Sequence, residues 1–212
     1  MKKLTAFIFL LAMTLSVSAQ GNWEKPTEQE TGQRHALIER KNKDIPAKYM
    51  QGGVPEADGK VTWAKTFKVE GKSAEQIYNN ALGYFSSLVK SENQTNKSAL
   101  AGVNRAEHKI MVRVQEWLIF AQKAMYVDQT KMNYGVSVEC TDGECKVVIT
   151  NISYNYEEGR PSVAHYTAEE MISDKVAFNK KGTGFTKGGT KKFRMGTIDR
   201  MENVLKGLEG SL

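Results

Sequence analysis

Apolar residues recur with two different periods along the chain, and the switches between them predict its elements. In Val61–Glu70, Val61, Trp63, Phe67 and Val69 share one parity, broken by Lys65, which predicts a strand ended by Gly71. Ser73 with Gln76 three residues later is a capping box. The helix it starts carries Ile77, Ala81, Phe85 and Leu88 on one stripe, flanked by Tyr78, Leu82 and Val89, and runs to about Ser91. Ala99–Val103 and Lys109–Phe120 are strand-like, with Ile110, Val112 and Val114 alternating with Met111, Arg113 and Gln115. Met132–Cys140 and Cys145–Tyr156 form a hairpin about Asp142-Gly143, a two-residue turn that matches strand twist. That turn sets the register: Val138 faces Val147, Val136 faces Ile149, Glu139 faces Lys146, and Cys140 faces Cys145. Thr167–Ser173 reads as a short helix, and Ile198, Met201, Leu205 and Leu208 form the stripe of a closing one.

The order is strand, helix, four strands, helix. Short connections between strands make the sheet mostly antiparallel. The expected fold is therefore α+β: a curved antiparallel sheet of about five strands, one face covered by the first and last helices. This domain is expected over residues 58–212. Residues 20–57 are polar, with apolar spots only at Ala36–Ile38 and Ile45–Met50, and Pro46, Gly52, Gly53 and Pro55 break them. They read as an arm or linker.

Residues 1–19 have the form of a secretory signal peptide: Lys2 and Lys3, an apolar Leu4–Leu15, then Val17 and Ala19 before a cut at Gln20. The apolar stretch is short for a bilayer, which needs about 20 residues. An exported product of the periplasm or outer membrane of a Gram-negative bacterium is the expectation. The 212-residue chain is long enough to bury a core, and at 40% hydrophobic and 25% charged it excludes collagen and wholesale disorder. Removing Lys2 and Lys3 leaves 28 basic and 24 acidic side chains, a net of +4. So modest a charge on an exported chain gives no reason to expect nucleic acid.

Three stretches carry a resemblance: VPEADGKVTWAKTFKVEGKSAEQIY, the hairpin YGVSVECTDGECKVVITNISY, and YTAEEMISDKVAFNK with KKFRMGTIDRMENVL. In this order they resemble a Bacteroidetes family of secreted proteins of unknown function with a fold like the TATA-box-binding protein. The resemblance spans roughly residues 54–208. It implies the fold and the Gram-negative setting, and no activity. Likeness to a DNA-binding fold does not carry DNA binding with it.

Candidate chemistry is sparse. Cys140 and Cys145 face each other at a non-hydrogen-bonded pair, where Cα atoms lie about 4.5 Å apart, so a disulfide is expected in an oxidising compartment. Their C-x4-C spacing, with no histidine near, makes a redox dithiol or metal pair the weaker alternative. His35, His108 and His165 match no metal spacing, no serine-nucleophile motif occurs, and no cofactor is expected. Glu157–Glu158 and Glu169–Glu170 are sequence neighbours, not carboxylates set across a cleft.

Residues 175–194 are basic and glycine-rich, without an acid. Lys180, Lys181, Lys187, Lys191, Lys192 and Arg194 could contact an anionic lipid or glycan, or simply face solvent. Trp63, Phe67, Phe85 and Trp117 could line a pocket between sheet and helices, or be core. The leading expectation is a non-enzymatic envelope protein that binds a small apolar or lipid-like ligand in that groove. The second is a structural module that pairs with another envelope protein through a sheet edge or its arm. A hydrolase with a site assembled from distant residues is the third, and would need His108 or His165 beside a carboxylate.

Overall fold

The computed structural model describes residues 45–156, 163–182, 184–186 and 188–212. The expected signal peptide, residues 20–44 of the expected arm, His35, Glu157–Glu158 and Lys187 lie outside the described residues.

A small hairpin, β1 (Glu56–Ala57) and β2 (Lys60–Val61), leads into β3 (Trp63–Lys68). Then come α1 (Ala74–Leu88), β4 (Ala99–Asn104), β5 (Lys109–Lys123), β6 (Tyr126–Thr141) and β7 (Glu144–Tyr156). After these follow β8 (Ala164–Thr167), α2 (Ala168–Met171), α3 (Asp174–Ala177) and α4 (Gly188–Glu209). The main sheet is antiparallel, ordered β3-β7-β6-β5-β4, with β8 beside the far end of β7. It has six strands rather than about five. β8 is four residues long, too short to show a period in sequence.

The two-residue turn sets the register as expected, although only Gly143, at φ 73°, takes the left-handed region, and Asp142 does not take the positive φ of a twist-matching turn. Val138 pairs with Val147, Val136 with Ile149, and Cys140 with Cys145. The capping box closes α1: Ser73 Oγ accepts from the Gln76 N–H, and Gln76 Oε1 accepts from the Ser73 N–H.

Parity decides which side chains meet the helices. Ile110, Val112, Val114 and Leu118 of β5 are buried, as are Met132, Tyr134, Val136 and Val138 of β6. They pack against Ile77, Ala81 and Phe85 of α1 and Phe193, Ile198, Met201 and Leu208 of α4. In β7 the buried parity changes, from Cys145, Val147 and Ile149 to Ile152 and Tyr154. A bulge sets Asn151 and Ile152 against Tyr134, and Asn151 takes a left-handed φ of 57°. Asparagine tolerates that region, whereas β-branched residues do not. Asn151→Gly should therefore keep the stability of the parent, while Asn151→Val should lose about 1–2 kcal/mol in urea titration.

Two expectations about boundaries change. The closing helix starts at Gly188, ten residues before Ile198, so the glycine-rich basic stretch is not one loop. Its buried stripe runs Thr190, Phe193, Arg194, Thr197, Ile198, Met201, Val204 and Leu208, at helical spacing. Polar residues at three of these positions hide the stripe in sequence. The domain also begins before residue 58. Tyr49 and Val54 are buried, and Tyr49 Oη donates to Asp199 of α4 at 2.7 Å. Pro46 and Gly53 bend this segment back onto the domain rather than freeing it. A Cβ on Gly53 would stand 1.9 Å from the Lys48 carbonyl oxygen, so glycine is required there.

Candidate functional site

The structure does not bring Trp63, Phe67, Phe85 and Trp117 together as a pocket. Trp63, Phe67 and Phe85 are buried core, and Trp117 lies on the opposite face of the sheet. It has the odd parity of Met111 and Arg113, while the helix-facing residues of β5 are even. There Lys131 Nζ lies 4.9 Å above its ring. Around Trp63, Phe67 and Phe85 the groove expected between sheet and helices is filled by side chains.

The basic residues also part company. Arg194 is fully buried and structural. It donates to the carbonyls of Tyr49 (2.8 Å), Ile172 (2.5 Å) and Met50 (2.6 Å), and to Asp174 Oδ1 (2.6 Å). Lys192 donates to both Asp128 oxygens (2.9 and 2.8 Å) and to Tyr156 Oη (2.8 Å), bracing the far half of the β5–β6 hairpin. Neither cation is available as an anion contact. Lys191 lies 6.0 Å from the Phe185 ring centre, while Lys180 and Lys181 remain exposed near Gln51 and Asp174.

Cys140 and Cys145 stand opposite each other, yet as two buried thiols. Their sulfurs are 3.9 Å apart, nearly twice a disulfide bond length of about 2.05 Å. No disulfide is shown between them: both side chains are buried in the core and meet in weak sulfur contact. That contact with Cys145 holds the Cys140 thiol below its ordinary range. The same contact, with burial, pushes Cys145 up. Protein recovered from its source without reductant should take no iodoacetamide until urea is added, and then two adducts per chain. A single adduct or none in urea, read by intact mass, would contradict free thiols.

His108 packs edge-on against Tyr78, and His165 Nδ1 is hydrogen-bonded to Asn155 Oδ1 at 2.9 Å. Glu169 accepts from the Val61 N–H, and Glu170 completes a capping box with Thr167. These polar groups serve the fold.

Among the described residues, no helix lies over the other face of the sheet. Its rows follow from the register. Lys109, Glu139, Lys146 and Thr66 form one row, and Met111, Ser137, Val148 and Ala64 the next. Gly102 sits beside Met111 at the β4 edge. A groove of about 510 Å³ runs over these rows, with apolar Gly102, Met111 and Val148 beside charged Lys109, Glu139 and Lys146. Met111 is 60% exposed; Val103, 55% exposed at the edge of the groove, pairs with Ile110 and so has the helix-side parity. A second depression adjoins Lys97, Arg113, Gln115 and Asn133. A polar ladder crosses there. Thr95 Oγ1 donates to Gln115 Oε1 (2.8 Å), Gln115 Nε2 to Asn133 Oδ1 (2.7 Å), and Asn133 Nδ2 to Ser153 Oγ (3.3 Å). Sequence reading missed Met111 and Val148. Their signal was present: each is a large apolar residue on the solvent parity of an alternating strand.

A family model described as a domain of unknown function (DUF4468) with TBP-like fold matches residues 63–155. A crystal structure of a DUF4468 family protein from Bacteroides ovatus is 32% identical, with a TM-score of 0.72, over 79% of this chain and 95% of that one. A TBP-like protein from Parabacteroides distasonis is 20% identical with a TM-score of 0.57, over 75% of this chain and 99% of that one, a likeness of fold. No curated protein matches the chain. None of these similarities indicates a catalytic family.

Proposed function

The chain belongs to the DUF4468 family of domains with a TBP-like fold, and from that premise we propose that it is an exported, non-enzymatic envelope protein that holds a partner on the face of its sheet opposite the helices. One contrast carries this reading. The helix side of the sheet is closed by core side chains apart from a depression of about 350 Å³ where Ile119 and Phe120 of β5 meet Lys191, Lys192 and Met195 of α4, while the opposite side keeps a larger apolar groove rimmed by charge. A large exposed apolar residue is ordinary singly; grouped in a groove between charged rows it marks an interaction surface. The leader-like residues 1–19 support export, and relatives from Bacteroides and Parabacteroides fit a Gram-negative envelope.

A small apolar ligand is the second reading. The groove volume of about 510 Å³ favours it, since ligand sites span about 300–1,000 Å³. It would lie on the open face, not beneath the helices.

Native mass spectrometry of mature protein from the periplasm of its source tests both. The expected result is a bound species, lost when Met111→Asp places a charge in the groove. An excess of a few hundred daltons would select the small ligand, and a larger one a protein. A bare chain in every preparation, with no cross-linked partner, would overturn the proposal.

A further inference from the structure

Resting on the reading of this protein as a binding module, we propose that the outer edge of β4 is a strand-addition site for an extended, acidic segment of a partner protein. β4 pairs with β5 on one side only. Among the described residues no backbone group bonds its other side. Unpaired edges invite another strand, and proteins commonly guard them with charge or proline. β3, at the opposite side of the sheet, carries Lys65 and Lys68, paired with Glu209 and Glu144. β4 reads Ala-Leu-Ala-Gly-Val-Asn, with neither charge nor proline. Its one irregularity, a bulge at Ala101, bends the strand without blocking it.

Gly102 sharpens the case. Its φ is not in the left-handed region, and a Cβ there would meet only Met111 Cβ, at an ordinary 3.9 Å. The fold does not demand glycine at this position. A glycine inside a strand often marks close approach by a ligand or another backbone. Here its missing side chain opens the groove toward Met111, beside the free edge. An added strand would gain main-chain hydrogen bonds from β4 and place an apolar side chain into that groove. This is the division of labour in strand addition.

Charge selects the partner. Lys97, Arg105, Lys109 and Arg113 flank β4 and Lys146 lies in the groove, against Glu107, held by Lys109 at 2.8 Å, Glu139, 3.7 Å from Lys109, and Glu75, 3.8 Å from Arg105. The surplus is positive. A second copy joined edge to edge would bring these cations against themselves, so the complementary strand is acidic and comes from another chain.

The probe is a capped peptide of about six residues, the usual strand length, alternating valine with glutamate, titrated into the 15N-labelled protein. Saturable amide shifts are expected at residues 99–104 and 109–111. Binding should weaken at least tenfold in Gly102→Trp, and equally when lysine replaces glutamate in the peptide. Met111→Glu provides a second groove variant should Gly102→Trp disturb folding, and the same loss is expected. Absent shifts, shifts elsewhere, or binding indifferent to both variants and to peptide charge would overturn the proposal. Peptide-free, concentration-dependent shifts at 99–104 would do so too, by making a second copy the occupant. A native complex that leaves β4 untouched would sink this inference and spare the broader function.

Discussion

Arg194→Met should destabilise the protein by about 3–5 kcal/mol, the range for breaking a buried ion pair by removing one partner. The side chain has no exposed surface. Its guanidinium closes on three backbone carbonyls and one carboxylate, drawn from the segment around Tyr49, the α2–α3 junction and α3. The Phe178 ring stacks 4.8 Å away. Burial presses the guanidinium down from its ordinary range, and the carboxylate of Asp174 opposes this. Methionine fills similar volume but donates nothing, so the buried acceptors lose their partners at about 1–3 kcal/mol each where water cannot reach them. Lysine should not rescue, because one ammonium cannot span the fork that three carbonyls match. A Tm lower by roughly 6–20 °C follows for a domain of this size. Limited proteolysis supplies a local signature: cleavage should appear first within residues 45–57, which Arg194 ties to α4. A variant within 1 kcal/mol of the parent, or first cut elsewhere, would contradict this role.

The same residue shows where sequence reading stops. The β6–β7 register was legible because a two-residue loop at Asp142-Gly143 leaves no freedom in pairing. The stripe of α1 was legible because every buried position in it is apolar or aromatic. The start of α4 was not. Thr190, Arg194 and Thr197 occupy its buried face, and Arg194 and Thr197 are satisfied by partners distant in sequence, Tyr49 and Tyr154 among them. A basic residue beside glycines reads as solvated loop until the carbonyls that receive it are known. Trp117 is a different case. Its parity with Met111 placed it on the far face of β5 from Ile110, Val112 and Val114, so the alternation itself spoke against a pocket shared with Phe85. The open-face groove needed more than parity, because it joins Gly102, Met111 and Val148 from three strands, and only the full strand order makes them neighbours.

Arg200→Met should also cost about 3–5 kcal/mol, and Glu116→Gln combined with it should recover most of that loss. Glu116 is 1% exposed on the helix side of β5. Arg200 of α4 grips it with two hydrogen bonds of 2.7 Å, Nε to Oε1 and Nη2 to Oε2. Tyr134 Oη donates to Oε1 at 2.9 Å, and Gln94 Nε2 donates to Oε2. Removing the arginine alone strands a carboxylate in a low-dielectric site, where an unpaired charge is far more costly than a neutral amide. Glutamine keeps an acceptor for Tyr134 and needs no cation, so the double variant should return to within about 1–2 kcal/mol of the parent, the residue of lost hydrogen bonds. The double-variant cycle separates charge from packing, since only loss of the charge pair is recovered when the carboxylate goes as well. Urea titrations of the parent, both single variants and the double variant check this. No recovery in the double variant would assign the loss to packing between α4 and β5 instead of to the buried charge.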